Sequence, residues 1–133
     1  MKDFTLILRD ASSVRRIEGV RSFVGVAGTF MTLAANKLGL RLYRRELVDG
    51  HVLSRADIDV AVARFAAMTS AERGRLPGIQ RGREDVILAG AVIAGASCRA
   101  FGRESVACSE SDLLEGAALA LADGSLAAGA PSS

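Results

Sequence analysis

The segment from Arg21 to Ala35 constrains the fold of this 133-residue chain more than any other stretch. It begins with an apolar, β-prone run and breaks at two glycines directly before a helical pattern. Gly25 and Gly28 allow the backbone to turn tightly and to approach a neighbour without a Cβ in the way. The pattern predicts a buried strand that passes through a tight turn into a helix opened or capped by Thr29.

The glycine turn has two open interpretations. Glycines between strands and helices commonly serve only close packing. Alternatively, the first amides of the helix have no internal partner and lie at the positive end of the helix dipole, so the turn can receive a phosphate oxygen or a ribose hydroxyl. The second interpretation makes the turn an anion or nucleotide site.

The composition is that of a globular protein with one core. Half of the residues are hydrophobic and 24% are charged, which excludes disordered and fibrous classes. The 17 lysine and arginine residues exceed the 15 acidic residues by two, and a net charge of +2 is too small to favour a nucleic-acid or membrane partner. We therefore expect one domain that binds neither nucleic acid nor a membrane.

The cysteines and the apolar runs indicate a reduced, cytoplasmic protein. Cys98 and Cys108 have neither CxxC spacing nor the companion histidines of a zinc site, so they are predicted to be small core residues rather than metal ligands. The uncharged, strongly apolar run Val86–Cys98 is too short to cross a bilayer. The apolar patch near the N-terminus is too short for a secretory signal.

Strands and helices alternate along the chain, which predicts an α/β fold with helices packed on a small sheet. Strands are predicted at 23–26, 47–53 and 105–109, and helices at 29–38, 54–68, 84–101 and 109–122, with about two helical turns after residue 69. Ser54 with Asp57 and Thr69 with Glu72 form the pattern of a capping box at two helix starts. Gly39 and Gly102 are predicted to end helices.

The helix predicted at 84–101 has two further features. Glu84 and Asp85 are placed in its first turn, where the helix dipole favours acids. Gly90 and Gly95 lie in its interior, where each glycine costs about 1 kcal/mol relative to alanine, so a close approach to a sheet or a ligand is expected there. Residues 1–20 stay unassigned, with a short strand at Phe4–Leu8 as one option, and 123–133 is predicted to be a disordered tail.

Four segments in order resemble the exopolyphosphatase and guanosine-pentaphosphate phosphohydrolase family, Ppx/GppA. They are Val24–Thr29, Leu47–Arg55, Leu76–Ala91 and Cys108–Gly116. The last is similar to the version common among actinobacteria. The resemblance runs from about Arg21 to Ala122 and covers most of the chain.

This resemblance implies an actin-like fold in which two ribonuclease-H-like lobes face a cleft, with residues 21–122 as part of the second lobe. Family members hydrolyse the terminal phosphoanhydride of polyphosphate, or the 5′ γ-phosphate of guanosine pentaphosphate, with a divalent cation such as Mg²⁺. The family's acids and glycine-rich phosphate loops lie upstream of the matched region. No catalytic residue, metal ligand or cofactor is therefore predicted for this chain alone.

The resemblance carries two site features onto this sequence. The cleft turn, as a phosphate- or nucleotide-binding element, consists of Gly25, Ala27, Gly28 and Thr29. Gly90 is a candidate for close approach of a helix beside that turn.

Three other polar residues are interpreted structurally. Asp49 stands where many family members carry a histidine, which weakens any functional pair with His51. Glu110 and Asp112 lie where a terminal helix begins, and charge complementarity with the helix dipole explains them without catalysis.

Three functional hypotheses follow. The leading one is the C-terminal part of a Ppx/GppA phosphohydrolase, truncated or split and inactive alone. The second is a binding or regulatory module that pairs with a separately encoded first lobe or forms a homodimer through apolar surface. The third is a glycine turn that binds a nucleotide or phosphate without hydrolysing it.

Overall fold

A computed structural model of the chain describes residues 22–111 and 113–122. The predictions made for 1–20 and 123–133 lie outside the described residues, as does Asp112. Within the described part, the α/β class predicted from the alternation of elements is confirmed.

The sheet has three strands in the order β1-β3-β2, with β1 at Val24–Val26, β2 at Val52–Ser54 and β3 at Ser105–Ser109. β1 pairs with β3 in parallel, with Val24 opposite Ala107, and β2 pairs with β3 antiparallel. A parallel pair needs a crossover connection, and the helices between β1 and β3 supply it. The C-terminal ends of β1 and β3 therefore lie at the same edge of the sheet, where the glycine turn follows β1.

Six helices are described. They are α1 at Gly28–Lys37, α2 at Arg45–Val48, α3 at Arg55–Ala66, α4 at Ser70–Arg73, α5 at Ile87–Ala100 and α6 at Leu113–Ala122. The helices predicted after the glycine turn and after Ser54 are confirmed as α1 and α3, and the last predicted strand and helix as β3 and α6. The helix predicted after Thr69 is shorter than expected, because α4 makes a single turn.

The two capping boxes predicted from the sequence are present. The Ser54 hydroxyl accepts from the Asp57 amide at 3.0 Å while the Asp57 carboxylate accepts from the Ser54 amide at 2.8 Å. Thr69 and Glu72 make the equivalent pair of bonds. Gly39 follows α1 with φ 66, a left-handed conformation that suits the end of a helix.

The strand predicted at 47–53 is wrong over its first half. Val48 ends the one-turn helix α2, and Gly50, with φ 77, reverses the chain before β2 begins at Val52. The β-prone residues of this run were a local signal, whereas pairing with β3 decides where the strand starts.

The helix predicted from Glu84 begins instead at Ile87. Both acids belong to the turn before it, where the Glu84 carboxylate accepts from the Gly82 amide at 2.6 Å and Asp85 accepts from the Ser70 hydroxyl. The acids therefore order the preceding turn rather than the first turn of α5.

The core lies between one face of the sheet and the helices α1, α3 and α5. Along each strand, residues that face the helices alternate with residues that face away. Leu53, Val106 and Cys108 face the helices and are buried. Cys98 is buried on α5, and both cysteines are free thiols, which confirms their prediction as core residues. The largest buried side chain among the described residues is Phe65 of α3.

The expectation that the first strand is buried is corrected. Val24 is 52% exposed and Val26 47% exposed, and only Gly25 between them faces the helices. Val52 of β2 is 53% exposed on the same bare face of the sheet. The reason is that the helices described here cover only one face, so every second residue of each strand faces away from them.

Candidate functional site

The glycine turn lies at the edge of the sheet between β1 and α1. Ala27 joins them with φ 68 and ψ 179, a combination that residues with a Cβ seldom adopt. The first helical bond across the turn runs from the Met31 amide to the Ala27 carbonyl at 3.4 Å. Ala27 is therefore the strained residue that directs the strand into the helix.

The N-terminus of α1 has no cap from a side chain among the described residues, and its first turn contains no acid. The amides of Gly28, Thr29 and Phe30 precede the first helical hydrogen bond, so they are free to bond a ligand. Thr29 does not cap the helix as expected, because it lies inside the first turn. These amides carry the positive end of the helix dipole, which favours an anion.

Arg83, from the segment between α4 and α5, contacts this terminus. A Cβ built on Gly28 would overlap the guanidinium of Arg83, so the absence of a side chain at Gly28 lets the arginine lie against the turn. Within 22–111 and 113–122, no hydrogen bond or ion pair is recorded for the Arg83 guanidinium. The Arg83 guanidinium thus adds a second positive group to the positive end of α1.

A cavity of about 130 Å³ opens beside this contact. Gly28 and Arg83 line it together with five further residues: Met31, Thr32, Tyr43, Gln80 and Glu110. The volume corresponds to roughly four water-sized groups, which is enough for a phosphoryl group.

Glu110 is the acid of this cavity, and its charge opposes anion binding. The Arg45 guanidinium lies 3.6 Å from the Glu110 carboxylate, which offsets that charge. The Glu110 amide donates to Asp49 at 2.9 Å, so Asp49 fixes the backbone at the end of β3. Both acids have structural contacts, and the helix-dipole role expected of Glu110 stays a prediction.

The other glycines near the turn have packing partners. The ring of Phe30 fills the space where Gly25 would carry a Cβ, so packing is sufficient to explain this glycine. A Cβ on Gly90 would lie 2.6 Å from the Thr29 hydroxyl oxygen, and α5 therefore approaches α1 closely at this point. The close helix approach predicted at Gly90 is present, and its role toward a ligand stays a prediction.

His51 lies outside the cavity. Its carbonyl accepts from the Cys108 amide at 2.8 Å beside β3, but its Nε2 atom is buried without a hydrogen-bond partner among the described residues. The structure therefore brings His51 into the packed region below the turn rather than into the candidate site.

The described residues contain no group of three or more His, Cys, Asp or Glu side chains placed to hold a metal ion. Glu110 alone approaches the cavity, and it is paired with an arginine. The described residues of this region do not fit a Mg²⁺ site.

Sequence analysis missed Arg83, Tyr43 and Gln80. Arg83 follows the Arg81–Gly82 turn that the sequence did predict, and Gly82 has φ 87 there. No spacing rule connects residue 83 with residue 28, because their contact depends on how α5 packs against α1.

Comparison with known proteins shows the family to which the chain belongs. The sequence model of the Ppx/GppA phosphatase family matches residues 5–124, and the chain belongs to that family. The match begins inside the segment left unassigned above.

Curated relatives come from two actinobacteria. An uncharacterised protein of Streptomyces coelicolor is 38% identical over 100 residues, covering 75% of this chain and 30% of that protein. Exopolyphosphatase 2 of Mycobacterium tuberculosis is 33% identical over 110 residues, covering 80% of this chain and 34% of that protein. The chain thus spans about a third of the length of the curated relatives it matches.

Solved structures give the same family. A crystal structure of the Aquifex aeolicus member of the Ppx/GppA family has a TM-score of 0.77 and 30% identity, over 98% of this chain and 42% of that one. The crystal structure of an exopolyphosphatase-like protein has a TM-score of 0.79 and 32% identity, over 94% of this chain and 41% of that one. The fold predicted from the resemblance, part of an actin-like fold with a small sheet and packed helices, is confirmed.

No helix among the described residues has the length and apolar character required to span a membrane.

Proposed function

We propose that residues 22–122 form one wall of the phosphate-binding cleft of a phosphoanhydride hydrolase that acts on polyphosphate or on guanosine pentaphosphate. The observation that carries this proposal is the contact between Arg83 and Gly28 over the uncapped terminus of α1. The names of relatives such as exopolyphosphatase 2 support the class of substrate. The cavity of about 130 Å³ accommodates one phosphoryl group.

In this proposal the chain's own groups bind and orient the substrate. The amides of Gly28 and Thr29 donate to phosphoryl oxygens, and Arg83 donates a charge-assisted hydrogen bond to the same group. Such donors are fixed before the reaction, so they stabilise negative charge on the transferring phosphoryl group without reorganising. The group that orients the attacking water and the ligands of a Mg²⁺ ion are assigned to the opposite wall of the cleft, outside the described residues.

The chain alone is therefore proposed to be catalytically incompetent. The test is orthophosphate release from polyphosphate and from guanosine pentaphosphate by the purified chain with Mg²⁺. We expect release at the rate of the buffer control. If the chain hydrolyses substrate and an Arg83→Gln variant does not, the claim of incompetence is overturned. The same result would support Arg83 as a binding residue.

A second candidate function is a binding module that pairs with a separate first lobe or with a second copy. The bare sheet face supports it, since Val24, Val26 and Val52 are each about half exposed. Leu119 and Leu121 of α6 are 65% and 70% exposed. Exposed apolar surface of this kind favours a partner.

Sedimentation velocity of the purified chain tests the second candidate. If the chain self-associates, we expect a concentration-dependent dimer that dissociates in a Val24→Lys/Val52→Lys double variant. A well-folded monomer at all concentrations would contradict self-association. Pairing with a first lobe is tested by mixing the chain with a separately expressed first lobe. We expect a complex that sediments faster than either protein alone.

A further inference from the structure

A second cavity lies away from the candidate phosphate site, between the C-terminal half of α1 and the first turns of α3. Its volume is about 190 Å³. Leu33, Leu53 and Ile58 line it and are themselves almost fully buried. We call it the α1–α3 pocket. Its floor is apolar, and it has room for roughly six water-sized groups.

The rim of the α1–α3 pocket is polar and contains two cations, Lys37 and Arg64, and one acid, Asp57. Lys37 Nζ lies 2.5 Å from Asp57 Oδ2. The same carboxylate accepts from the Ser54 amide at 2.8 Å in the capping box. The acid is therefore already satisfied by groups of this chain.

Both cations keep hydrogen-bond donors that these contacts do not occupy. An ammonium has three donors, and Lys37 gives one of them to Asp57. Arg64 is exposed and lines the pocket, and within the described ranges no hydrogen bond or ion pair is recorded for its guanidinium. Asn36 donates its amide to the Pro77 carbonyl at 2.7 Å, which fixes it at the rim. The rim thus has a net positive charge facing an apolar floor.

We propose that the α1–α3 pocket binds a small amphipathic anion, with its aliphatic body against the accessible lining residues Val60 and Ala61 and its carboxylate near Lys37 and Arg64. An apolar floor with a few convergent polar groups is the usual character of a small-molecule site. A polyphosphate chain has no apolar part, so this ligand differs from the substrate of the proposed cleft. The inference is independent of the proposed function.

The observations favour a monocarboxylate over two other classes. A cation is repelled by the rim, because the only acid there is bound to Lys37 and Ser54. Inorganic phosphate has no apolar part to cover the accessible side chains of Val60 and Ala61. The small volume and the exposed charge pairs predict a dissociation constant in the millimolar range.

The test is a titration of the chain with hexanoate, followed by methyl and amide chemical shifts. We expect saturable shifts of the Val60 and Ala61 methyl groups, which line the pocket and are accessible. Hexylammonium and inorganic phosphate serve as matched probes that lack the anion or the apolar body, and we expect no saturable shift of these methyl groups with either. Equal binding of hexylammonium, or no saturable shift with hexanoate, would overturn the proposal.

Two variants locate the site. Ala61→Leu places a larger side chain at the pocket wall, and we expect it to abolish the hexanoate shifts while the remaining spectrum stays that of the folded chain. Arg64→Gln is expected to weaken binding about threefold, as for an exposed charge pair, whereas Arg75→Gln, an exposed arginine outside the pocket, leaves it unchanged. Hexanoate shifts that persist in Ala61→Leu would contradict the assignment.

Discussion

The guanidinium of Arg83 lies against Gly28, in the space that a side chain at residue 28 would occupy. The contact brings a cation to the positive end of α1, an unfavourable arrangement unless an anion lies between or beside the two groups. Gly28 and Gly25 therefore both make room for a side chain, the Arg83 guanidinium at Gly28 and the ring of Phe30 at Gly25.

Gly78 is expected to be among the glycines least tolerant of substitution. It has φ 80, and a Cβ there would overlap the backbone of Ala35 and Asn36 at the end of α1. We expect Gly78→Ala to lower the free energy of unfolding by about 3 kcal/mol, from backbone strain and overlap together. Urea unfolding measures the loss.

Gly82→Ala is the matched control for Gly78→Ala. Gly82 has a similar φ of 87, but nothing lies within 4 Å of a Cβ built on it. We expect a loss of about 1 kcal/mol from backbone strain alone. Equal losses in the two variants would contradict the packing of Gly78 beneath α1.

The capping box of α3 predicts a pH dependence of stability. Burial alone would raise the pKa of Asp57, but the hydrogen bonds from Lys37 and Ser54 and the charge of Lys37 outweigh burial and lower this pKa from 3.8 to about 2. A folded-state pKa below the unfolded one stabilises the fold above pH 4, and this stabilisation is lost as the pH falls through 2. Because the pair is partly exposed, we expect about 1 kcal/mol.

Urea unfolding between pH 2 and pH 6 checks this prediction. Asp57→Asn should reduce the dependence in that window by the contribution of Asp57. Asp59→Asn is the control, since Asp59 also forms an ion pair, with Arg99 at 2.8 Å, but caps no helix. The same pH dependence in the chain and in Asp57→Asn would show that other groups cause it.

Arg73 is predicted to stabilise the junction between α3, α4 and α5. Its Nη1 donates to the carbonyls of Phe65 and Met68 at 3.0 and 2.7 Å, and its Nε donates to the Glu84 carbonyl at 2.8 Å. A lysine cannot reproduce this fork. We expect Arg73→Lys to cost about 2 kcal/mol in urea unfolding.

Arg75→Lys controls for a general effect of replacing arginine in this segment. Arg75 is exposed, and we expect a change within about 0.5 kcal/mol. A cost for Arg75→Lys as large as that for Arg73→Lys would mean that the bridging bonds of Arg73 do not account for its effect.

Both thiols are expected to resist alkylation in the folded chain. Burial raises the pKa of Cys108 to about 11, and burial is also the main cause of the raised pKa of Cys98. At pH 8 the thiolate fraction of Cys108 is about one in a thousand. Iodoacetamide labelling followed by mass spectrometry should modify both residues in urea and neither in buffer, and rapid native labelling of Cys108 would contradict its place in the core.

Local signals were sufficient for the turn and the caps. Gly25 and Gly28 between a β-prone run and a helical pattern predicted β1 and α1, and Ser54 and Thr69 predicted the starts of α3 and α4. Each of these features depends on residues within a few positions of one another, so a single sequence contains the necessary information.

Features that depend on distant packing were missed. Arg83 reaches Gly28 only because α5 packs on α1 at Gly90, and no local pattern indicates that contact. The exposure of Val24 and Val26 depends on which face of the sheet the helices cover, which alternation alone leaves undetermined. The strand predicted at 47–53 failed because Gly50 turns the chain before pairing with β3 begins.

The central claim is that the start of α1 and Arg83 together bind a phosphoryl group. The most direct measurement is an amide chemical-shift titration with tripolyphosphate, using the chain, Arg83→Gln and, as control, Arg81→Gln, an exposed arginine of the adjacent turn. We predict saturable shifts of the Gly28, Thr29 and Phe30 amides, weakened about fivefold or more in Arg83→Gln and unchanged in Arg81→Gln. Shifts confined to other amides, or equal affinity in Arg83→Gln, would contradict the account.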